Sequence, residues 1–497
     1  MTAQIATRPH SALFSPTSMP LWVGAAIYSL LLLLGPQLLN DPDTYSHVAL
    51  GRWIIAHRAV PFVDPFTHTA AGMHWVAFEW LSQVMYAAAH VLGGWSAVVV
   101  LAAGAVAFSF ALLTRFLLRE LAPIPTLVLV TAAFVLISPH VLARPHVLAF
   151  PIMVIWVAAL VRAVDNGERP PFRLLPLMTL WANLHGSFTF GLAIIFPIAF
   201  EALWNAPTTA RKHLVRQWLA FAVLALLAGS LTPYGSELIE VTHRTIALGP
   251  ALLAITEWRA QDFSHLGAFE IILLSAFGYA LHRRIALPPL RILMLLGLVH
   301  LALSQSRHAD LLALLAPLFL ARPLAQSAGF AADAEPAQDQ GRSMVAVAAL
   351  IAVACVFAGM RQVSPAERIT PAAAVAAADL RNAGPILNEY NFGGYLDYVG
   401  IAPFIDGRAE LYGAAFNLRY HRATTLQSVP EFLQLLKDHK IQATLLAPQT
   451  PAAVFLDFLP EWKKVYADQI AVVHVRKAGA VSSAAPTGGA SRPLVSE

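Results

Sequence analysis

Acidic and histidine side chains crowd into the stretch NDPDTYSHVALGRW, which directly follows the first long apolar run of the sequence. Asp41, Asp43 and His47 lie within this stretch, and Glu79 stands at the start of a later apolar segment, EWLSQVMYAAAHVLGG. Carboxylates and imidazoles at such spacing can exchange protons with a substrate, and carboxylates can also bind a divalent metal. The residue types therefore predict acid–base chemistry or metal binding at this point of the chain.

Asp41 and Asp43 have different local roles available. Asp41-Pro42 has the form of a helix N-cap followed by proline at the first helical position. Asp43 then lies in the first turn, where the helix dipole favours a negative charge, and His47 follows four residues later on the same face. We therefore expect Asp41 to cap the helix, while Asp43 and His47 face a cavity together.

Other apolar runs also end in polar residues that are costly to bury near lipid. Arg144 lies in SPHVLARPHVLAF, and Arg307 and His308 lie in SQSRHAD, where the planar fork of arginine suits a phosphate group. The remaining members of this set are Asn183 and His185 in WANLHGSF, and Glu257. Ionisable groups near a bilayer interior are expensive and mark functional sites, so we expect these segments to converge on one polar cavity. The alternative is that lipid headgroups solvate each residue separately.

The elements that must position these residues are membrane-spanning helices. The chain of 497 residues is 57% hydrophobic and only 12% charged, and its mean hydropathy is +0.61, whereas soluble domains are about a quarter charged. The net charge of +4 is not concentrated in a basic patch with aromatic residues, which argues against nucleic-acid binding. Cys355 is the single cysteine, which excludes a disulfide framework and a cysteine zinc site.

Motifs for soluble nucleotide donors are absent from the sequence. It contains no P-loop, no G-x-G-x-x-G after a strand, no H-E-x-x-H and no G-x-S-x-G. A group donor reached from the outer face of the membrane would therefore have to be linked to a lipid.

The hydrophobic runs predict a mainly α fold, a polytopic transmembrane helical bundle of about eleven spans. Arginines concentrate in alternate loops, which places the N-terminus in the cytoplasm and the costly polar residues at the outer ends. The long outer loop at 40–94, called the first loop below, contains two predicted juxtamembrane helices, at about 44–57 and 79–92. The predicted spans lie at about 20–39, 95–114, 123–138, 146–164, 173–184, 187–204, 217–231, 266–282, 289–304, 309–321 and 344–360.

The composition changes after residue 360, where a polar, proline-containing linker begins. The strand-like runs PILNEY, APFIDGR, ATLLAP and QIAVVHVR, with the helical stretch VPEFLQLLKDHK among them, predict a small α/β domain on the outer side. The tail is rich in Ser, Ala, Gly and Pro, which is typical of disorder. The predicted organisation is a cytoplasmic N-terminus at 1–19, a transmembrane domain at 20–360, a linker at 361–379, a periplasmic α/β domain at 380–477 and a disordered tail at 478–497.

These motifs resemble those of the GT-C glycosyltransferases, in particular the bacterial relatives of protein O-mannosyltransferases and of lipid A aminoarabinose transferases. In that family an Asp in a D-E or D-x-D motif begins the first outer loop and an E-K-P motif ends it. Asp41 and Asp43 match the first motif and Glu79 the second, whereas Thr44 and Trp80 depart from the family pattern. The chain is also similar to a group of uncharacterised bacterial multi-pass membrane proteins that share D-x-D-T-Y-x-H, W-A-N-L-H-G, T-P-Y-G and I-D-G-R.

The resemblance implies an integral membrane glycosyltransferase in a bacterial inner membrane. It would transfer a sugar from a polyprenyl-phosphate donor to a hydroxyl group of a glycan, lipid or protein at the periplasmic face. Asp43 would be the general base, with Asp41 and Glu79 as further catalytic groups or, together with Asp43, as ligands of Mg or Mn. The implied substrate- and phosphate-binding residues are Arg307, His308, Arg144, His47, His185, Asn183 and Glu257. The alternatives are a transporter or flippase, and a non-catalytic assembly factor for lipid-linked envelope glycans.

Overall fold

A bundle of helices and a smaller C-terminal α/β unit make up the protein. The computed structural model describes residues 16–249, 256–332, 341–361 and 363–477. Most of the predicted N-terminal segment and all of the predicted tail lie outside these residues. The helices of the bundle are α1 (Met19–Leu33), α2 (Gly35–Leu38), α3 (Asp43–His57), α4 (Trp80–Leu117), α5 (Pro123–Ile137), α6 (Pro145–Asp165), α7 (Leu175–Leu184), α8 (Phe188–Ala193), α9 (Ile195–Asn205), α10 (Thr208–Gly229), α11 (Glu237–Ala247), α12 (Ala268–His282), α13 (Pro289–Ser304), α14 (Ala309–Ala328) and α15 (Gly341–Met360).

Helix length and composition confirm a polytopic membrane protein. Among the described residues, six helical segments are long and apolar enough to cross a membrane, and α1, α12 and α13 are shorter apolar helices. The count of about eleven spans stays a prediction. The six segments are Trp80–Leu117, Pro123–His140, Pro145–Asp165, Phe188–Asn205, Ser306–Ser327 and Ser343–Met360.

Helix α4 joins two elements that the sequence predicts as separate. Its 38 residues include the predicted juxtamembrane helix at 79–92 and the predicted span at 95–114. Gly93 and Gly94 between them have non-helical backbone angles, with a φ of 62° at Gly94, a conformation that glycine adopts without steric cost. The glycine pair therefore forms a kink, and no loop separates the two parts.

Close packing of α3, α4 and α6 determines where the polar residues meet. Gly51 of α3 approaches α4 so closely that an added Cβ would lie 2.0 Å from the carbonyl oxygen of Gln83. Helix α4 also packs along α6, whose first residue directly follows Arg144. The start of α3, Glu79 and Arg144 therefore lie at the same end of the bundle, called the site end below.

A buried arginine ties the helices together at the opposite end. Arg291 near the start of α13 is 2% exposed and pairs with Asp165 at the end of α6 and with Glu201 in α9. Arg322 of α14 donates to the backbone carbonyl of Asp165. Because an unpaired buried charge is costly, this network holds the ends of four helices in one arrangement.

The C-terminal unit is built on a mixed four-stranded sheet in the order β1-β2-β4-β3, with β1 and β2 parallel and the other pairs antiparallel. Ala374 and Val375 pack in the core of this unit, so ordered packing begins inside the predicted linker. The strands are β1 (Ile386–Asn388), β2 (Ala443–Leu446), β3 (Trp462–Ala467) and β4 (Val472–Arg476), and the helices are α16 (Ala372–Ala377), α17 (Gly393–Val399), α18 (Ala409–Thr424), α19 (Val429–Asp438) and α20 (Pro451–Leu456).

Three predicted strands and the predicted helix of this unit are confirmed, but APFIDGR is not a strand, and β3 is missing from the predicted set. The backbone of 402–408 is bound by a side chain instead of a neighbouring strand. The Asn388 Oδ1 accepts the Phe404 N–H at 2.7 Å, and its Nδ2 donates to the Ile405 carbonyl at 2.8 Å. Pro403 offers no N–H to a ladder, so the segment runs as an irregular chain that ends in a tight turn.

Candidate active site

Arg144 lies at the centre of a cluster of carboxylates at the site end. Its Nε is 3.0 Å from Oδ2 of Asp41, and its two terminal nitrogens donate to Asp43 and Glu257. Arg307 contacts the other oxygen of Glu257 at 3.3 Å. Four segments that are far apart in the sequence therefore meet in one charged network, which is the convergence that the sequence predicts.

The first turn of α3 presents Asp43 to this network. The Asp41 Oδ1 accepts the backbone N–H of Asp43 at 2.8 Å, which satisfies one of the free donors of the helix start. Regular helical structure begins at Asp43 itself, one residue after the first helical position expected at Pro42 and one residue before the predicted bound at 44. Asp41 nevertheless caps the helix with Oδ1 and contacts Arg144 with Oδ2.

Two other segments bring the arginine and the glutamate to their places. The backbone at Arg144 is extended because Pro145 begins α6, and the Tyr86 hydroxyl donates to the Arg144 carbonyl at 2.9 Å. Glu257 lies in a single 3₁₀ turn, whose carbonyl at Glu257 accepts from the Ser306 hydroxyl at 3.1 Å. The turn before α14 is therefore bound to the turn that contains Glu257.

Glu79 forms the second part of the site, among histidines. Its Oε1 is 3.3 Å from Nε2 of His185, and its Oε2 is 4.0 Å from Nδ1 of His47. The rings of His185 and His146 are 6.1 Å apart between centroids. His146 therefore belongs to the same polar surroundings, although it is not among the site residues predicted from the sequence.

Burial determines the protonation of this cluster. It raises the pKa of Asp41 to about 7, against the attraction of Arg144. It also raises the pKa of Glu79 to about 8 and lowers the pKa of His47 to about 3. Burial disfavours the charge of Glu257 as well, but the adjacent arginines outweigh it and lower the pKa of Glu257 to about 2. At neutral pH the cluster therefore contains an ionised Glu257, a neutral Glu79 and a neutral His47.

Two predicted site residues, Asn183 and His308, form no ion pair with the network among the described residues. Asn183 accepts from the Trp80 indole N–H at 2.8 Å and donates to two backbone carbonyls, which explains its burial. His308 directly precedes α14, next to Arg307, and no ion pair joins it to the carboxylates among the described residues. Residue type and position alone could not separate these two from the residues that converge.

The C-terminal unit reaches the site, which sequence reasoning did not anticipate. Gly407 lies against the Asp43 carboxylate, and a Cβ on Gly407 would be 1.9 Å from its Oδ1. Glu410 accepts from the Trp75 indole N–H at 3.2 Å, and its negative charge is one of the causes that raise the pKa of Glu79. The I-D-G-R motif was the available signal, because a D-G pair indicates a tight turn.

The predicted metal ligands belong to two different groups of contacts. Asp41 and Asp43 pair with Arg144, whereas Glu79 contacts His185. Within the part of the chain that the structure describes, no group of three or more His, Cys, Asp or Glu side chains is arranged to hold a metal ion. The carboxylates as placed are therefore suited to arginine and histidine partners, and metal dependence stays a prediction.

Comparison with known proteins places this site in a recognisable fold. No protein-family model matches the sequence, and no curated protein matches it. Among solved structures, the oligosaccharyltransferase AglB of Archaeoglobus fulgidus, in complex with an inhibitory peptide and a dolichol-phosphate, has a TM-score of 0.53 at 12% identity, covering 86% of this chain and 69% of that chain. The same enzyme in its apo form gives a TM-score of 0.52.

A third structure, ArnT of Cupriavidus metallidurans bound to undecaprenyl phosphate, is similar over 93% of this chain and 98% of that chain at 14% identity, with a TM-score of 0.40. Identities this low bear on fold alone. The chain has the overall fold of the archaeal oligosaccharyltransferase.

Proposed function

We propose that this protein transfers a sugar from a polyprenyl-phosphate donor to a hydroxyl group of an acceptor. The observation that supports this most is the contact of the Asp43 carboxylate with Arg144, next to a second cation, Arg307, at one end of the membrane-spanning helices. A base beside two phosphate-binding cations suits a reaction that removes a proton and releases a phosphate. The archaeal oligosaccharyltransferase of similar fold was solved with a dolichol-phosphate.

In the proposed reaction Asp43 accepts the proton of the acceptor hydroxyl while its oxygen attacks the anomeric carbon of the donor. The bond between that carbon and the phosphate oxygen breaks, and the electron pair goes to the phosphate. Arg144 and Arg307 stabilise the negative charge that develops on the leaving group. The neutral carboxyl of Glu79 and the neutral ring of His47 can donate or accept hydrogen bonds to orient the acceptor.

The proposal includes an orientation in the membrane. The site end would face the periplasm of a bacterial inner membrane, and the N-terminus would lie in the cytoplasm. The far end of the bundle supports this orientation, because Arg115 lies in the last turn of α4 and Arg162 in the last turn of α6, and basic residues accumulate on the cytoplasmic side. Alkaline phosphatase fused after the C-terminal unit is expected to be active, and an inactive fusion would reverse the orientation.

The test of the activity uses the purified protein in lipid nanodiscs with a panel of polyprenyl-phosphate sugars. Mass spectrometry would measure the released polyprenyl phosphate and the glycosylated acceptor. We expect the Asp43→Asn variant to lose about 100-fold or more of the transfer rate, the usual contribution of a general base. Asp438→Asn is the matched control, because Asp438 is an aspartate that pairs with Arg419 on the surface of the C-terminal unit.

The outcomes separate the three classes of function. Undiminished transfer by Asp43→Asn would remove Asp43 as the base. Movement of an intact donor across the bilayer would identify a flippase, and binding of donor or acceptor without cleavage of the sugar–phosphate bond would identify an assembly factor. Reactions with EDTA, and with added Mg²⁺ or Mn²⁺, test the metal at the same time, because transfer that survives EDTA excludes an essential exchangeable ion.

A further inference from the structure

The C-terminal unit touches the candidate base through one residue, Gly407. The three atoms nearest to a Cβ built on Gly407 all belong to Asp43: Oδ1 at 1.9 Å, Cγ at 2.7 Å and Oδ2 at 3.1 Å. The backbone of Gly407 has no positive φ, so its conformation is open to other residues. Close approach to the carboxylate, and not backbone freedom, is therefore what requires glycine here.

The turn that contains Gly407 is held by the next residue, Arg408. Its guanidinium contacts Asp406 at 2.5 Å within the same turn and Asp64 of the first loop at 2.8 Å. Both carboxylate side chains are fully buried, and the guanidinium lies 4.5 Å from the centroid of the Trp75 ring. Arg408 therefore joins the C-terminal unit to the first loop through one planar group.

The partner of Arg408 in the first loop is itself rigidly held. The Asp64 Oδ2 accepts the Thr67 N–H at 2.9 Å and the Thr67 hydroxyl at 2.6 Å. Its Oδ1 accepts the Phe66 N–H at 3.2 Å. Asp64 thus builds a turn, as its sequence context Asp-Pro indicates, and also presents one oxygen to the other unit.

A second contact joins the C-terminal unit to the start of α3. A Cβ on Gly394 would lie 2.3 Å from the Pro42 carbonyl oxygen. The Ser46 hydroxyl donates to Oδ2 of Asp397, which is buried, at 2.9 Å. Two glycine-containing segments of the C-terminal unit therefore enclose the first turn of α3, one against its backbone and one against the Asp43 side chain.

We propose that the Asp406–Arg408 turn completes the active site from the C-terminal unit, with Arg408 as a positioning residue that holds Gly407 against the Asp43 carboxylate. Arg408 does not touch the substrate. It sets the position of the group that removes the proton, and displacement of a reacting group by about 1 Å can cost about 100-fold in rate. The role in transfer rests on the proposed function above, whereas the contact between the two units can be tested without any substrate.

The first test is a double-mutant cycle that reads stability only. Gly407→Ala is expected to lower the apparent thermal midpoint in the wild-type background and to lower it much less in the Asp43→Ala background, because the atoms in the way are then gone. Gly393→Ala is the matched control, since its Cβ would meet the Ile405 carbonyl and Asp406 of its own unit. Its effect should be the same in both backgrounds. An equal loss for Gly407→Ala in both backgrounds, or no loss at all, would overturn the proposal.

The second test follows docking of the two units by hydrogen exchange. Arg408→Gln is expected to speed amide exchange in the first turn of α3 and in the turn after Asp64, while Arg422→Gln, on an exposed pair with Glu431, should leave both unchanged. Arg408→Lys should restore protection in part, because lysine keeps the charge but not the planar fork. Unchanged exchange in Arg408→Gln would contradict the positioning role. If that variant does not fold, the Gly407 cycle decides alone.

The third test separates positioning from binding once a donor is known. Gly407→Ala is expected to lower kcat by about 100-fold with unchanged affinity for undecaprenyl phosphate, the probe for the phosphate site. Loss of affinity without loss of kcat would place Gly407 in donor binding and refute the assignment. Failure of every donor to react, with the stability cycle as expected, would count against the proposed function and leave the contact between the units standing.

Discussion

Removal of the guanidinium of Arg144 tests the electrostatic reasoning most directly. This side chain is 18% exposed and contacts Asp41, Asp43 and Glu257. Arg144→Gln keeps a polar side chain but removes the charge that these carboxylates share. Arg307 then remains as the cation in contact with Glu257. We expect a loss of stability that depends on pH, because carboxylates that lose their partner can become protonated.

The size of the loss follows from Glu257. Its pKa is lowered from 4.5 to about 2, and one pKa unit corresponds to about 1.4 kcal/mol, so the whole shift corresponds to about 3 kcal/mol. Two arginines share this effect, and the Glu257 side chain is 25% exposed, which weakens it by solvent screening. We therefore expect Arg144→Gln to lower the free energy of unfolding by about 2 kcal/mol at pH 7.

The sign of the pH dependence follows from the direction of the shift. A carboxyl whose pKa is lowered in the folded state contributes stability that is fully present above its unfolded pKa, here 4.5, and is lost as the pH falls through about 2. Loss of Arg144 should also raise the pKa of Asp41 further, because it removes the attraction that opposes the effect of burial. This adds to the loss of stability at neutral pH. The difference between wild type and variant should therefore be largest at pH 7 and shrink toward pH 3.

The assay is thermal unfolding in detergent, followed by the fluorescence of the 11 tryptophans. A change of about 2 kcal/mol in a chain of this length moves the midpoint by on the order of 2 °C, within the precision of replicate scans. Arg422→Gln is the control, since its pair with Glu431 is at the surface and no shift is expected. A loss that is the same at pH 7 and pH 3, or no loss at pH 7, would refute the assignment of Arg144 as the shared partner.

Two further substitutions test other parts of the molecule. In Glu79→Gln a neutral amide replaces a carboxyl whose pKa is raised from 4.5 to about 8. The stability that this shift contributes is present below pH 4.5 and is lost as the pH rises through about 8. The thermal midpoint of the wild type should therefore fall relative to that of the variant between pH 5 and pH 9, and parallel curves would contradict a neutral Glu79. Arg291→Leu leaves Asp165 and Glu201 without their buried partner and should lower the free energy of unfolding by about 3–5 kcal/mol. Arg322→Gln, at a side chain that is 34% exposed, should lower it less. The reverse order of the two thermal midpoints would show that the buried network does not hold the far end together.

The sequence predicted that the polar residues meet at one end of the helices, because the cost of burying charge in lipid is a local property of each helix end. Arg144 and Glu257 could be assigned to one side from the alternation of apolar runs alone. Their contact with each other could not, since it depends on where the 3₁₀ turn that contains Glu257 lies relative to the start of α6. Asn183 illustrates the limit, because a polar residue at the same depth forms bonds to Trp80 and backbone carbonyls and takes no part in the network.

Helix positions were predicted well for a related reason. Periodicity and caps are properties of a few neighbouring residues, and α3 and α6 begin within two residues of their predicted starts. The segment APFIDGR was wrong as a strand because its partner is not another strand but the side chain of Asn388. No local sequence pattern predicts a hydrogen bond between a side chain and a distant backbone segment. The same irregular path brings Gly407 to Asp43, so the wrongly predicted strand and the missed site residue have one cause.

Asp64 connects these observations. In the sequence it is an Asp-Pro turn of the first loop, and its two buried oxygens do build that turn, Oδ1 by accepting the Phe66 N–H and Oδ2 by accepting the Thr67 N–H and hydroxyl. The structure adds Arg408 to the same carboxylate, so that a residue with a complete local explanation also joins two units across about 340 positions of sequence. Because its own turn fixes the Asp64 carboxylate, this carboxylate can also hold Arg408 in place. The first loop therefore contributes to the candidate site twice, through Asp43 and Glu79 directly and through the anchoring of the turn that presses against Asp43.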